Sequence, residues 1–225
     1  MISVVIPTLN AESRLAYCLS RLVAGVVTGV VREVVIADGG SADETARIAE
    51  ATGARFIEAP RGRGSQLAAG AEAARGDWLL FLHADTVLDQ GWEEEAADFI
   101  ERAGPDRAAA FRFALDDFGA GARRLEKLVA LRCALFKLPY GDQGLLISRR
   151  LYRRIGGFKP MPLMEDVDIV RRLGAKRLVM LRTRAVTSSV RFHERGYFAR
   201  SARNLALLLF YVLRVPPRVL ARLYG

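Results

Sequence analysis

Residues 77–85 read Asp77-Trp78-Leu79-Leu80-Phe81-Leu82-His83-Ala84-Asp85, an apolar run that ends on a carboxylate. A second apolar run ends on Asp38, and residues 162–168 contain a cluster of three further acids. Parallel α/β sheets bind ligands at the carboxyl ends of their strands, near the point where strand order reverses. Carboxylates gathered there can bind a divalent metal, a ribose hydroxyl or a reacting proton. The pattern therefore predicts an enzyme that uses a nucleotide-linked substrate.

Short apolar strands alternate with helices along the chain. Strands are predicted at Ser3–Pro7, Arg32–Ala37, Ala54–Glu58, Trp78–Leu82, Ala108–Phe113, Gly144–Ser148 and Leu178–Leu181. One helix is predicted to begin at Ala11, a second to end at Thr52 and a third to end near Gly76. Further helices are predicted at Trp92–Arg102, Ala122–Phe136 and Glu165–Leu173. This alternation is typical of βαβ units, so we expect an α/β fold with a mostly parallel central sheet flanked by helices.

The composition favours a folded protein without a disulfide framework. Half of the 225 residues (51%) are hydrophobic, which suits one α/β domain with a substantial core. Cys18 and Cys133 are the only cysteines, and they are far apart and lack metal-ligand spacing. The sequence begins directly on a strand, without the charged and apolar regions of a signal peptide, so we expect a cytoplasmic protein.

The net charge of +9 is unevenly distributed. Residues 1–148 contain 16 Lys and Arg against 21 Asp and Glu, whereas residues 149–225 contain 18 against 4. This asymmetry predicts an anionic partner, either a diphosphate or a membrane surface. Because no nucleic-acid-reading motif accompanies the charge, we do not expect a nucleic-acid partner.

Residues 196–225 contain the apolar run 205–213 between arginines. A membrane-spanning helix needs about 20 apolar residues, so this run is too short. An amphipathic helix that lies on anionic lipid at the inner face of the cell membrane would fit the basic flanks. A core helix or a homodimer contact would explain the same composition, and the sequence does not separate these interpretations.

Three segments have the composition of ligand-binding loops. Residues 7–12 follow the first strand, and Gly39 and Gly40 let the backbone turn closely beside a ligand at Asp38. Residues 61–65, Arg61-Gly62-Arg63-Gly64-Ser65, join two guanidinium groups to a helix N-terminus, an arrangement suited to phosphate. Taken singly, a proline turn before a helix would explain the first segment and a helix-capping loop the second, and a basic turn would be the better explanation of the third.

Together these segments resemble the family 2 glycosyltransferases, which have the nucleotide-sugar-binding GT-A fold. The matching parts cover almost the whole chain in the expected order: residues 5–10 with Glu12, 38–43, 62–64, Asp85 and 165–168. The resemblance implies a GT-A domain at residues 1–195. Residues 1–90 would form its nucleotide-binding half and residues 91–195 its acceptor-binding half, with a C-terminal amphipathic segment at 196–225.

The resemblance also implies an activity and residue roles. We expect inverting, metal-assisted transfer of one sugar from a UDP-, GDP- or TDP-sugar to an acceptor hydroxyl, with Asp166 as the general base. The acceptor would be a lipid or another amphiphile, and Asp85 would bind Mn²⁺ or Mg²⁺. The implied donor-binding residues are Pro7, Thr8, Asn10, Glu12, Asp38, Gly62, Arg63, His83, Ala84 and Asp85. The implied acceptor-side residues are Gln143 and Glu165, and Glu165 is the alternative base.

One departure concerns the metal. The metal motif of the family is Asp-x-Asp, and its first position here is His83. A neutral imidazole can bind Mn²⁺ but adds no negative charge and is a poorer ligand for Mg²⁺. A histidine that only bonds to backbone at the sheet edge would look the same. His193 is a further candidate for the metal or the diphosphate, although a surface histidine in a basic loop is the simpler interpretation.

Two other functions remain open from the sequence. A nucleotidyltransferase would share the sheet but would need a Gly-rich basic loop after the first strand, and residues 7–10 do not provide one. The other is a non-catalytic protein that binds a nucleotide-sugar or a membrane surface and has lost turnover.

Overall fold

The computed structural model describes residues 1–190, 196–217 and 219–220. Within them the strands are β1 Ile2–Thr8, β2 Val31–Asp38, β3 Arg55–Glu58, β4 Trp78–Phe81, β5 Thr86–Leu88, β6 Ala108–Leu115, β7 Leu145–Ser148 and β8 Leu178–Thr187. The helices are α1 Glu12–Ser20, α2 Val23–Val27, α3 Thr45–Ala51, α4 Arg63–Ala73, α5 Trp92–Ala103, α6 Ala120–Phe136, α7 Arg149–Arg154, α8 Glu165–Leu173 and α9 Tyr197–Val212. Two 3₁₀ turns occupy Gly141–Gln143 and Ala175–Arg177.

All eight strands form one mixed sheet in the order β3-β2-β1-β4-β7-β6-β8-β5. Strands β5 and β7 run antiparallel to the other six. The predicted α/β fold with a mostly parallel sheet is therefore confirmed. Both predicted halves of the domain contribute strands to this sheet.

The strand order reverses beside β1, which pairs with β2 on one side and β4 on the other. The carboxyl ends of these three parallel strands consequently lie at one edge. The pairing places Thr8 of β1 opposite Asp38 of β2. On the other side the backbone N–H of Leu82 donates to the carbonyl of Val5, which directs residues 83–85 to the same edge.

The core occupies both faces of the sheet, as the alternation of side chains along β1 requires. Val4 and Ile6 pack on one face with the α1 side chain of Leu15, whereas Val5 packs on the other with Leu67 of α4. The four residues of β1 and α1 named here are fully buried. This two-sided burial explains why the first strands are continuous apolar runs.

Some elements were missed or misjudged in length. Helices α2 and α7 and strand β5 were not predicted, because each is too short for a periodic signal. Strand β8 continues six residues beyond the predicted end at Leu181, because its exposed side at Arg182 and Arg184 is charged and hides the strand pattern. No helix within the described residues combines the length and hydropathy needed to cross a bilayer.

Candidate active site

Asp38 anchors the loops that follow β1 and β2. Its Oδ1 accepts hydrogen bonds from Thr8 Oγ1 at 2.7 Å and Ser41 Oγ at 2.5 Å, and its Oδ2 accepts from the backbone N–H groups of Gly40 at 2.8 Å and Ser41 at 2.7 Å. Burial by itself would raise the pKa of Asp38, but the bonds from Ser41, Thr8 and Gly40 outweigh it and lower the pKa below its ordinary value. Asp38 is therefore an ionised carboxylate that lies beneath Thr8.

The same two loops are joined by side chains that cap backbone groups. Asn10 has a left-handed backbone (φ 52°), and its Oδ1 accepts from the N–H of Ala42 at 2.9 Å. Glu12 Oε2 accepts from the N–H of Glu44 at 3.0 Å, and Asp43 Oδ2 accepts from the N–H of Glu12 at 3.0 Å. These reciprocal bonds fix the loop after β1 in one shape.

A cleft of about 480 Å³ opens above this edge of the sheet. Its walls come from the loops after β1 and β4, the start of α4 and the loop before α8. The lining residues are Pro7, Thr8, Leu9, Asn10, Ala11, Ser13, Arg14, Arg61, Gly62, Arg63, Gln66, His83, Ala84, Asp85, Pro162, Leu163 and Glu165. Buried Gln66 ties its floor together, because its Nε2 donates to the carbonyls of Thr8 at 2.6 Å and Ala37 at 2.9 Å.

Arg63 and Glu165 connect the cleft to the start of α8. Arg63 Nη1 lies 3.4 Å from Glu165 Oε1, and the Glu165 side chain is only 2% exposed. Burial and the nearby Asp166 raise the pKa of Glu165, and Arg63 opposes this rise. Glu165 is thus a buried partner of Arg63, whereas Asp166 is the more accessible acid.

Gly64 sets the approach of α4 to the segment before α8. A Cβ on Gly64 would lie 2.2 Å from the carbonyl oxygen of Lys159 and 3.0 Å from the nitrogen of Met161. Gly64→Ala is therefore expected to destabilise the fold by about 1–3 kcal/mol, because backbone must shift to admit the methyl group. For a chain of this size, that corresponds to a melting temperature lower by about 2–12 °C.

A thermal melt of Gly64→Ala beside Ser65→Ala, a truncation at the next position of α4, tests this expectation. Equal melting temperatures for wild type and Gly64→Ala would show that the contact with Lys159 relaxes freely. A matching loss in Ser65→Ala would show that the site tolerates no change of any kind.

A second cavity of about 150 Å³ adjoins the cleft and shares Arg63, His83, Asp85, Leu163 and Glu165 with it. Its other lining residues are Tyr140, Asp142, Met164, Asp166, Val167, Thr187, Ser188, Asn204 and Leu207. The last two belong to α9, so the C-terminal helix covers part of this cavity. Asp85 and Asp166 therefore face one space although 80 residues separate them in sequence.

Three acids begin α8, and the structure separates their roles. Asp166 Oδ2 accepts from the N–H of Gly141 at 2.8 Å, and its Oδ1 accepts from the N–H of Val167 at 2.8 Å. Asp168 instead pairs with Arg172 at 2.5 Å and with Lys159 at 3.4 Å. Asp166 is the half-buried carboxylate at a helix N-terminus, where the helix dipole favours negative charge.

Asp142 is an acid of this cavity; its segment, residues 140–144, was expected to border the acceptor site, but Gln143 was the residue chosen from it. Its Oδ1 is buried and has no hydrogen-bond partner among the described residues. Burial, and then the charges of Asp166 and Asp85, raise its pKa to about 6, with Arg132 acting in the opposite direction. A buried carboxylate oxygen without a partner is costly, so this atom is suited to a cation or a hydroxyl of a ligand.

The model of the family described as glycosyl transferase family 2 matches residues 3–161. The chain belongs to this family. Its fold is the GT-A fold, as the resemblance implied.

Named relatives include other members of the family. The PGL/p-HBAD biosynthesis glycosyltransferase of Mycobacterium bovis (strain BCG / Pasteur 1173P2) is 31% identical over 175 residues, which make up 70% of this chain and 63% of that protein. A glucosyl-3-phosphoglycerate synthase of Mycolicibacterium paratuberculosis is 32% identical over 95 residues, or 38% of this chain and 29% of that protein. The chain thus spans less than two thirds of the length of these relatives.

Solved structures share the fold at low sequence identity. The glucosyl-3-phosphoglycerate synthase of Mycobacterium tuberculosis, in complex with Mn²⁺, UDP and glucosyl-3-phosphoglycerate, has a TM-score of 0.61 at 23% identity and covers 83% of this chain and 70% of its own. S. aureus TarS 1–349 has a TM-score of 0.63 at 19% identity, covering 84% and 60%.

The structure brings most of the residues expected for family 2 to one edge of the sheet. The large cleft is lined by Pro7, Thr8, Asn10, Gly62, Arg63, His83, Ala84, Asp85 and Glu165, and the adjoining cavity by Asp166. Asp38 does not line the cleft itself, but it accepts a hydrogen bond from Thr8, which does. Their roles in binding and catalysis stay predictions.

Besides Asp38, two expected site residues, Glu12 and Gln143, line neither cavity within the described part of the chain. Glu12 caps the loop before α3 from outside the cleft. Gln143 is buried, its Nε2 donates to the carbonyl of Phe111 at 2.9 Å, and it supports the 140–143 turn rather than facing the cavity. Its neighbour Asp142 does face the cavity, and a charged residue between glycine and a buried strand was the signal for it. His193 lies outside the described residues.

The donor set fits a divalent cation whose remaining ligands come from substrate. No group of three or more His, Cys, Asp or Glu side chains within the described residues could hold a metal by itself. Asp85 and Asp142 do line the same cavity, and carboxylates are hard oxygen donors. Mg²⁺ and Mn²⁺ are commonly held by one or two carboxylates together with phosphate oxygens, so these residues suffice.

Asp142→Asn is expected to stabilise the metal-free protein above about pH 6. The folded state retains the Asp142 proton up to about pH 6, whereas the ordinary pKa is 3.8, so the unfolded chain releases this proton first. Stability is therefore lost as the pH rises between these two values, by up to about 3 kcal/mol. The variant has no such loss, and its advantage should disappear below about pH 4.

Thermal melts of wild type and Asp142→Asn at several pH values in EDTA measure this difference. Asp77→Asn is the control, because the Asp77 side chain is 91% exposed. A constant difference in melting temperature across the pH range would contradict the burial of an unpartnered carboxylate at position 142.

Proposed function

We propose that the protein is an inverting, metal-assisted glycosyltransferase that moves one sugar from a nucleoside-diphosphate sugar to an acceptor hydroxyl. The observation that carries the proposal is that Asp85 and Asp166 face one cavity, which adjoins a cleft large enough for a nucleotide. Membership of glycosyl transferase family 2 supports it. So does the shared fold with a synthase crystallised with Mn²⁺ and UDP.

The donor nucleotide would occupy the large cleft. The fixed loop at Thr8 and Asn10 offers backbone and short polar groups to a nucleoside, above the ionised Asp38. Arg61 and Arg63 stand at the start of α4, where guanidinium groups and the helix N-terminus favour phosphate. The diphosphate would thus point toward Asp85 and the second cavity.

A bound Mn²⁺ or Mg²⁺ would be held by Asp85, with Asp142 adding negative charge nearby, and would stabilise the charge that grows on the leaving diphosphate. His83 lines both cavities, and its ring lies against Gly141, where a Cβ would come within 2.7 Å of Nε2. His83 therefore packs on the turn that carries Asp142. Asp142 on this turn would supply the negative charge that the family motif has at its first position and that His83 lacks.

Asp166 would act as the general base. Its carboxylate accepts the proton of the acceptor hydroxyl while that oxygen bonds to the anomeric carbon, and the bond from this carbon to the diphosphate oxygen breaks. A single displacement from the opposite side inverts the anomeric centre. The bonds from Gly141 and Val167 hold the Asp166 carboxylate in place for this transfer.

The acceptor would carry its hydroxyl on a lipid or another amphiphile. Apolar Leu207 and polar Asn204 of α9 reach the cavity that contains Asp166, and the outer side of α9 is apolar.

A thermal-shift screen of UDP, GDP and TDP, each with and without Mn²⁺, tests donor and metal together. A nucleotide that binds the native state should raise the melting temperature by several degrees at about 100 times its Kd, and more strongly with Mn²⁺. Release of nucleoside diphosphate from the matching sugar donor then tests turnover. Binding without turnover across a broad donor panel would instead support the non-catalytic alternative.

A further inference from the structure

Helix α6 presents an apolar stripe to solvent. Leu128, Leu131 and Leu135 are 62%, 54% and 66% exposed, and their spacing places them on one face of the helix. Val129 and Cys133, which are 8% and 4% exposed, face the core instead. The helix is therefore apolar on two sides, and only one of them is covered by the described part of the chain.

A second exposed stripe lies on α9. Leu205, Leu209 and Leu213, at and just beyond the end of this helix, are 65%, 56% and 65% exposed and recur every four residues. The two helices pack together at their starts, where Tyr197 lies against Gly121 and donates a hydrogen bond to Asp117. We call the six leucines of these two stripes the two-helix surface.

Charge selects the class of partner that fits this surface. Arg124 is exposed one turn before Leu128, and exposed Lys127 lies one turn before Leu131 at the edge of the stripe; neither forms an ion pair within the described residues. Residues 197–217 contain Arg200, Arg203 and Arg214 and no acid. Apolar side chains bordered by cations are typical of helices that lie in the interface of an anionic bilayer.

We propose that the two-helix surface docks the protein on an anionic lipid bilayer. A second copy of this chain is the less suitable partner, because a two-fold interface would bring the cations of both copies into one contact. The inference deepens the proposed function, since α9 also lines the Asp166 cavity through Asn204 and Leu207 and would bring that cavity to the lipid. An acceptor in the membrane would then reach the site without leaving the bilayer.

Vesicle flotation tests the proposal without any sugar donor, so its outcome is independent of turnover. Wild type should float with phosphatidylcholine vesicles that contain about 30% phosphatidylglycerol and only weakly with phosphatidylcholine alone. Leu128→Glu with Leu131→Glu should lower binding by about tenfold or more, because both apolar anchors are replaced by charge. Arg124→Glu with Lys127→Glu should lower it by a similar factor, and added salt should weaken wild-type binding.

Val27→Glu is the matched control, because Val27 is an apolar residue on another helix and is 80% exposed. This control should float like wild type, and circular dichroism should show all variants folded. The proposal is overturned by wild type that ignores anionic vesicles, or by a leucine variant that floats as wild type does. It is also overturned if wild type is a dimer that Leu131→Glu separates while lipid binding is absent. Binding to vesicles without sugar transfer would instead contradict only the proposed activity.

Discussion

Asp166→Asn is expected to reduce kcat by about 10²–10⁴-fold, the range for loss of a general base. The amide keeps the size of the side chain and one oxygen for the N–H of Gly141, but it cannot take the acceptor proton. Donor affinity should change little, because Asp166 faces the smaller cavity and is not among the residues that line the nucleotide cleft. Initial rates and a titration with the donor nucleotide measure the two quantities separately.

Glu165→Gln is the informative comparison for this prediction. Glu165 is the neighbouring acid and the alternative base, but it is buried and paired with Arg63. We expect its loss to act on stability and donor binding more than on kcat. If Glu165→Gln abolishes transfer and Asp166→Asn retains it, the assignment of the base is wrong.

The sequence predicts the edge of the sheet that carries the site. Fully buried parallel strands occur in a sequence as apolar runs, and a polar residue after such a run marks the carboxyl end of the strand. Asp38 and Asp85 could be placed in this way, whereas the strand order beside β1 could not, because the same alternation would also allow β4 to pair with β3. The position of Asp166 was less certain, because it depends on how α8 packs against α4, and the family resemblance supplied it.

Other features depend on contacts that no local pattern contains. Strand β5 has three residues and is held by β8, where Thr86 and Thr187 share a hydrogen bond of 2.9 Å. Asp142 and Gln143 are adjacent and both polar, and only packing decides that Gln143 points into the core while Asp142 faces the cavity.

Helix α6 is a further case in which the local sequence pattern does not decide the packing. Its helical period assigns Leu128, Leu131 and Leu135 to one face and Val129 and Cys133 to another. Both faces are apolar, so periodicity cannot say which one the sheet covers. The structure shows that the sheet takes the Val129 face, and this result exposes the stripe on which the proposed bilayer contact depends.

Asp85→Ala is expected to remove most of the metal-dependent part of donor binding. Metals of this kind take their protein ligands from one or two carboxylates, so loss of one should weaken donor affinity in Mn²⁺ by about tenfold or more. Affinity measured in EDTA should be nearly unchanged, because the nucleoside contacts at Thr8 and Asn10 remain. Calorimetric titration of the nucleoside diphosphate with and without Mn²⁺ gives both values.

His83→Asp provides the complementary test of the charge argument. An aspartate at this position restores two carboxylates in the motif, and carboxylate oxygen suits Mg²⁺ better than imidazole does, so the variant should gain Mg²⁺-dependent donor binding relative to Mn²⁺. The variant would also bring a third acid near Asp142, whose oxygen already lacks a partner, so its metal-free form should melt at a lower temperature.

If Asp85→Ala binds the donor with the same Mn²⁺ dependence as wild type, the metal is held elsewhere. The carboxylate that ends the 77–85 run would then have no part in catalysis.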